Sequence, residues 1–175
     1  MHDPFIPAPD FIVEATKPLA SVLALQTIPF HAHEILLGFS FYELVSRSIS
    51  PAVSARLFPR TYSNLQRKTK IDWDVHFVSM VQSCFINAVA LWVIFKDQER
   101  SQMDAAQRVW GYSGASGMVQ GFAAGYFLWD LGVSIKDVDV HGWGALVHAA
   151  SALAVTCLGF VSLRLHEQFG FWGSD

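Results

Sequence analysis

The sequence predicts an all-α fold, a polytopic transmembrane helical bundle of about four spans. Of the 175 residues, 52% are hydrophobic and only 15% are charged, whereas a soluble domain carries about 25% charged residues. Three windows contain no Lys, Arg, Asp or Glu: residues 75–95, 109–129 and 140–163. Each is long enough to cross a bilayer, which needs about 20 mostly apolar helical residues.

The composition also excludes several classes of protein. The chain carries 12 Lys and Arg against 15 Asp and Glu, a net charge of −3, so it lacks the basic surface of a nucleic-acid binder. Its two cysteines, Cys84 and Cys157, both lie in apolar stretches. Two cysteines cannot form the disulfide framework of a small secreted protein.

The first span has a break near its start at Pro29, because proline breaks or begins a helix. We therefore place this span at residues 30–49, and we expect residues 19–28 to form a lead-in at the membrane interface or packed against the bundle. Glu34 and Glu43 lie inside the span, and each would cost a few kcal/mol if it faced lipid. Both are expected to face protein or the interface.

The remaining spans differ in character. The second, residues 75–95, is the most apolar, whereas the third, residues 109–129, is rich in Gly, Ser and Ala. Small residues allow helices to approach closely in membranes, so we expect the third span to be a packed interior helix. A short polar tail follows the fourth span, residues 140–163.

These spans divide the chain into three parts. Residues 1–28 hold a polar tail, residues 1–17, and the interfacial lead-in. They show no basic stretch followed by an apolar core, so we expect no signal peptide. Residues 29–66 hold the first transmembrane helix and a basic loop, and residues 67–175 hold three spans and the polar C-terminal tail.

The basic residues indicate how the chain is oriented. With alternating spans, seven of them collect on one side and five on the other. Six of the seven lie between the first and second spans, namely Arg47, Arg56, Arg60, Arg67, Lys68 and Lys70. Cytoplasmic loops of membrane proteins carry an excess of Lys and Arg. The loop is therefore predicted to be cytosolic and the N-terminus lumenal.

The sequence HAHE near the start of the first span groups three ionisable residues. His31 and Glu34 share a helix face, whereas His33 points elsewhere. A zinc site needs about three or four converging ligands, and this group supplies two on one face. We interpret it as an interfacial helix start, with a packing or ion-pair role for Glu34 as the alternative.

Four further polar residues are candidates for lipid binding or for buried polar contacts. His148 lies well inside the fourth window, where an ionisable side chain is a functional candidate by default; the alternative is a histidine that donates to a neighbouring helix. Ser151 lies in the same window. Asp130 is expected to pair with Lys136 or to lie at the interface, and Asn87 to bond a neighbouring helix.

Several stretches resemble the TLC-domain family of membrane proteins, which includes ceramide synthases and translocon-associated membrane proteins. RKTKIDWDVHFVSMVQS (67–83) is similar to the family's lysine-rich entry into its domain, and GYSG (111–114) with GYFLWDL (125–131) to its GY…WDL helix. VHAASAL (147–153) is similar to the HHxxS segment. The first helix, PFHAHEILLGFSFYELVSRSISP (29–51), resembles the extra helix of a fungal-type branch with no catalytic assignment.

The resemblance implies a role in lipid handling and bears on catalysis. Paired histidines of ceramide synthases take part in acyl transfer from acyl-CoA to a sphingoid amine, whereas this chain has Val147 and His148 at that place. We therefore interpret residues 67–175 as a partial TLC domain, truncated at the C-terminus, of a non-enzymatic protein that binds or senses lipid and contributes to lipid homeostasis. The lipid is expected between the third helix and the His148 helix.

Two alternatives stay open. One is a sphingolipid N-acyltransferase, in which His148 would be catalytic, and the other is a trafficking or assembly factor for membrane proteins. The expected compartment is the endoplasmic reticulum or another endomembrane. The expected partners are membrane lipids, with other membrane proteins or a second copy of the chain as alternatives, and no nucleic acid. No metal or organic cofactor is implied.

Overall fold

The computed structural model describes residues 6–161, and this part of the chain is helical without a β-strand. Its elements in chain order are α1 (Asp10–Leu23), α2 (Ile28–Leu44), a π-helical segment (Val45–Ile49), α3 (Ser50–Leu57), α4 (Pro59–Tyr62), α5 (Arg67–Lys96), α6 (Gln98–Gln102), α7 (Ala105–Trp110), α8 (Gly114–Lys136) and α9 (Val138–Leu158). The predicted all-α class is confirmed.

Four long helices form the bundle, and α2 and α8 run through it side by side in the same direction. Gly117, near the start of α8, lies against His31, near the start of α2. Further along the pair, Gly125 lies against Gly38. The contact between these two helices therefore extends over about two turns, at 3.6 residues per turn.

α5 and α9 run in the opposite direction, which gives the bundle two distinct ends. Asp97, just after α5, accepts from the hydroxyl of Ser113, just before α8, at 2.7 Å. Gln120, near the start of α8, donates to the carbonyl of Thr156, near the end of α9. One end, the basic end, carries seven cationic residues, namely Arg47, Arg56, Arg60, Arg67, Lys68, Lys70 and Lys136.

Two of the described helices, α5 and α9, are long and apolar enough to cross a membrane. α1 and the helical run of residues 28–57 qualify together as one bent span, with 109° between them. The count by length and composition is thus two or three, below the predicted four. α8 has 23 residues, but its glycines and polar side chains make it less apolar than α5 and α9.

The first span is one helical run, residues 28–57, interrupted by the π-helical segment. Pro29 lies in the first turn of α2, where its missing N–H has no partner to lose. Pro51 lacks the N–H that would bond the carbonyl of Arg47, and its ring crowds that carbonyl. The π-helical segment ends at Ile49, two residues before Pro51. Such a bulge lets the helix continue past the backbone hydrogen bond that Pro51 cannot make.

The helix ends differ from the predicted windows. α1 begins at Asp10, so residues 10–17 are helical rather than a polar tail. α8 begins at Gly114 because Ser113 caps it, its hydroxyl accepting from the backbone N–H of Ser116 at 3.2 Å. α9 ends at Leu158. The predicted C-terminal tail lies outside the described residues.

A face of α8 made of glycines holds α2 at short range. Gly117, Gly121 and Gly125 recur at every fourth position and therefore line one side of the helix. A Cβ added at Gly125 would lie 2.5 Å from the carbonyl oxygen of Ile35, and one at Gly121 would lie 2.9 Å from Glu34 Oε2. The interpretation of the third span as a closely packed interior helix is confirmed.

We expect Gly125→Ala to destabilise the chain, whereas Gly132→Ala should leave it unchanged or more stable. Both changes add one methyl to α8 and gain helix propensity. Only the methyl at 125 meets backbone, since a Cβ at 132 has open space around it. Overpacking costs about 1–3 kcal/mol. Thermal unfolding in detergent checks this, and equal midpoints for the two variants would contradict the described packing.

Candidate functional site

A cavity of about 310 Å³ opens at the basic end of the bundle, between α2 with its π-helical segment, α5 and α8. We call it the basic-end cavity. Its apolar wall comes from α2, α5 and α8 and includes Phe39, Val75 and Val133. Its polar part holds two cations and three carboxylates, namely Arg47, Lys136, Glu43, Asp74 and Asp137. The cavity therefore combines an apolar side with both signs of charge.

The two cations at the rim of the cavity are mostly exposed, and each makes an ion pair with a neighbouring carboxylate. Arg47 contacts Glu43 one helical turn before it, and Lys136 lies 3.8 Å from the carboxylate of Asp137. The side chains of Arg47 and Lys136 are 70% and 72% exposed. Such pairs contribute little to stability, so both cations can turn toward an anionic ligand at small cost.

The carboxylates are held more firmly than the cations. Glu43 accepts from the indole N–H of the buried Trp129 at 3.0 Å. Asp74 accepts from the hydroxyl of Ser50 at 2.6 Å and from that of Tyr62 at 3.0 Å. These bonds tie α2, α3 and α4 to α5 and α8, and they give the cavity a fixed floor.

Tyr62 closes this floor from the α3–α4 side. Its burial, followed by its bond to Asp74 and the charge of that carboxylate, raises the pKa of Tyr62 to about 12. The phenol therefore stays protonated and continues to donate to Asp74 throughout the physiological range. Lys70 lies 4.5 Å above the Tyr62 ring, a cation–π contact that adds to the same anchor.

A second polar cluster lies inside the α2–α8 contact, near the opposite end. His31 and Glu34 are fully buried, and His31 Nδ1 lies 2.6 Å from Glu34 Oε2. His31 Nε2 bonds the hydroxyl of Tyr112, so the imidazole links Glu34 to Tyr112. The tautomer of His31 sets which partner donates at each ring nitrogen. Gly117 makes room, since a Cβ there would overlap the imidazole.

HAHE lies in the first turns of α2, and His31 and Glu34 make the buried contact that was the packing or ion-pair alternative. The glycine face of α8 leaves space for the two side chains inside the protein. His33 is also buried, although it points away from this pair along the helix. Among the residues that the structure describes, no three His, Cys, Asp or Glu come together as a metal site would require.

Of the candidates on α9 and α5, three lie on exposed faces. His148 and Ser151 are exposed on α9, and the Ser151 hydroxyl donates within its own helix, to Val147. Asn87 is exposed on α5, and its amide donates to the Ser83 carbonyl at 2.7 Å. The predicted bond from Asn87 to a neighbouring helix is therefore wrong.

Asp130 does not make the predicted pair with Lys136. It is half-buried on α8, and it interacts electrostatically with His148 and His141 of α9. Lys136, its predicted partner, instead lies beside Asp137. Asp130 and Lys136 are six positions apart, which is more than the three or four that bring side chains together on a helix.

The expected lipid gap between the third helix and the His148 helix is closed. α9 packs along α8, and the amide of Gln120 bonds the carbonyl of Thr156 between them. Gly117, Gly121 and Gly125 of α8 face α2 instead. Space for a ligand lies at the ends of the bundle, where sequence reasoning had not placed it. The one local signal was the spacing of Glu43 and Arg47.

We expect Glu34→Ala to destabilise the chain, while Glu14→Ala has little effect. Each glutamate pairs with a residue three positions away, but Glu34 is fully buried whereas Glu14 is 69% exposed. Removing Glu34 leaves the Nδ1 of His31 without this partner, which costs about 1–3 kcal/mol. Chemical unfolding in detergent measures both variants, and an unfolding free energy that Glu34→Ala leaves intact would contradict the assigned contact.

Comparison with known proteins gives the family. A TLC domain matches residues 72–171, more than half of the chain. A TLC domain-containing protein of Schizosaccharomyces pombe is 32% identical over 87% of this chain and 50% of its own length. The topoisomerase I damage affected protein 4 of Saccharomyces cerevisiae is 30% identical over 73% of this chain and 44% of its own.

A third relative, the TLC domain-containing protein 4 C of Dictyostelium discoideum, is 26% identical over 71% of this chain and 45% of its own length. The chain thus spans about half the length of the curated relatives it matches. No solved structure matches it. The matched domain and the apolar helices α5 and α9 together make this chain an integral membrane protein that belongs to the TLC-domain family.

Proposed function

We propose that this chain is a non-enzymatic protein of the endoplasmic reticulum or another endomembrane that binds phospholipid and contributes to lipid homeostasis. The observation that carries the proposal is the basic-end cavity. It has the size of a small ligand pocket, about 300–1,000 Å³, and it joins an apolar wall to a charged rim. A phospholipid headgroup with the start of its acyl chains likewise joins a charged part to an apolar part.

The charges suit a phosphate. Arg47 offers a planar fork of donors that matches phosphate oxygens, and Lys136 offers a compact positive charge. Both line the cavity, and both are mostly exposed. The carboxylates of Glu43 and Asp74 would exclude a second anion. This balance favours a ligand with one phosphate over a multiply charged one.

The location suits a lipid as well. Seven cationic residues collect at this end of the bundle, and positive residues favour the cytoplasmic side of a membrane. We therefore assign the cavity to the headgroup region of the cytoplasmic leaflet. The N-terminus is then lumenal, which is the prediction that the same loop charges gave.

The chemistry of the cavity supports binding rather than catalysis. Acyl transfer requires a base beside the attacking amine, and the carboxylates that line the cavity are already engaged, Glu43 by Trp129, Asp74 by Ser50 and Tyr62, and Asp137 by Lys136. His148 lies on the exposed face of α9. Its electrostatic interaction with Asp130 favours an acyltransferase as the second candidate, because a carboxylate can orient an imidazole that acts as a base.

We expect Arg47→Ala/Lys136→Ala to weaken binding of phosphatidylglycerol, whose phosphate is its one charged group, by about tenfold or more, since each charge-assisted contact to phosphate contributes about 1.5–3 kcal/mol. The control is Arg56→Ala/Arg60→Ala, which removes the same charge from the same end but from residues that do not line the cavity. Lipid retention in native mass spectrometry measures both.

Equal binding by the two double variants would contradict the proposed site.

The non-enzymatic assignment is checked on the same purified chain, supplied with acyl-CoA and a sphingoid base. We expect no amide product and no released CoA thiol. Ceramide formation that His148→Ala abolishes would establish the acyltransferase instead.

A further inference from the structure

A second cavity, of about 400 Å³, lies at the end of the bundle opposite the basic end. We call it the α1 cavity, because the start of α1 closes it over the starts of α2 and α8. Its charged and aromatic lining side chains are Asp10 from α1, Phe30 and His31 from α2, and Tyr112 from the segment before α8. α1 and α2 precede the matched TLC domain, which begins at residue 72.

The lining of this cavity differs from that of the basic-end cavity, which contains two cations and three carboxylates. Among the described residues that line it, Asp10 is the one carboxylate, and none is a lysine or arginine. Phe30 and Tyr112 add two aromatic rings, whose faces attract cations. The α1 cavity therefore favours a positively charged group.

The Tyr112 ring is fixed in position by the buried cluster behind it. Its hydroxyl bonds His31, whose ring packs edge-on against it with centroids 5.8 Å apart. His31 is in turn held by Glu34 at 2.6 Å, inside the contact of α2 with α8. His31 and Glu34 are thus positioning residues for one aromatic wall. A rigid wall lowers the entropy lost when a ligand binds.

The lining favours a quaternary ammonium over a primary one. A primary ammonium carries N–H donors that each need an acceptor, whereas much of this lining is apolar, with Pro7 and Val13 beside Phe30. A trimethylammonium group has no N–H to satisfy and is recognised by aromatic faces with a nearby negative charge. The chemistry of the lining therefore matches a choline group.

The surface around the cavity points to a lipid as the source of this group. Phe11, Leu19 and Val22 of α1 are exposed, and Phe30 is 56% exposed at the cavity itself. Exposed apolar side chains at the end of a membrane bundle can lie along acyl chains. A free amine would make no use of this surface.

We propose that the α1 cavity binds the trimethylammonium headgroup of a choline phospholipid, with Asp10 supplying the opposing charge and Phe30 and Tyr112 the aromatic walls. This site is separate from the basic-end cavity, and it does not depend on the function proposed for that cavity.

The test measures binding of dihexanoylphosphatidylcholine to the full purified chain in a maltoside detergent, against the glycerol-headgroup lipid of equal chain length. Both lipids are measured with Arg47 and Lys136 intact and in the Arg47→Ala/Lys136→Ala variant, in which the basic-end cavity no longer holds a phosphate, and the headgroup preference is read from that variant. We expect a preference for the choline lipid. Asp10→Asn and Phe30→Leu should each weaken choline-lipid binding by about three- to tenfold. Their matched controls, Glu14→Gln and Phe11→Leu, change the same residue types on α1 outside the cavity lining and should not.

Several results would overturn the proposal. They are equal affinity for the two headgroups, unchanged binding in Asp10→Asn and Phe30→Leu, and tighter binding of the matching ethanolamine lipid. If tetramethylammonium binds as tightly as the lipid, the inference that the choline group comes from a phospholipid is wrong. The choline preference should survive Arg47→Ala/Lys136→Ala, so failure at one end of the bundle is distinguishable from failure at the other.

Discussion

The close approach of α2 to α8 is the constraint on which the rest of the structure depends. A side chain at Gly125 would meet the backbone of α2, and one at Gly117 would meet the imidazole of His31. In a membrane, where lipid is as apolar as leucine, such short contacts and the hydrogen bonds between helices drive association. The same contact buries Glu34 and fixes the register of the two helices, which in turn positions both cavities.

The register of α2 on α8 explains why polar groups collect at the two ends. Near the start of the pair, His31 and Glu34 lie inside and hold Tyr112. Near its other end, Trp129 of α8 bonds Glu43 of α2. The two cavities differ accordingly, since two cations and three carboxylates line one, and Asp10 is the one carboxylate among the described residues that line the other. Both proposed lipid sites rest on this difference between the ends of the bundle.

Much of the fold was predictable because its signals are local. Uncharged apolar windows predict α5 and α9, and the spacing of Gly117, Gly121 and Gly125 indicates a packed helix. The site was less predictable, because its contacts join distant parts of the chain. Tyr112 reaches His31 across 81 positions and Trp129 reaches Glu43 across 86, and no local pattern encodes such pairs. The position of His148 well inside the fourth apolar window suggests a functional role. Its place around the axis of α9 depends on how that helix packs, and it lies on an exposed face.

The most direct test of the central claim is a double-mutant cycle between α2 and α8. Gly38→Ala and Gly125→Ala both place a methyl in the same space, since a Cβ at Gly38 would lie 3.5 Å from the Cα of Gly125. We expect their effects on unfolding free energy to be non-additive by at least about 0.5 kcal/mol, as for residues in contact. Gly38→Ala combined with Gly132→Ala should be additive. Additivity in both cycles would contradict the packing of α2 on α8.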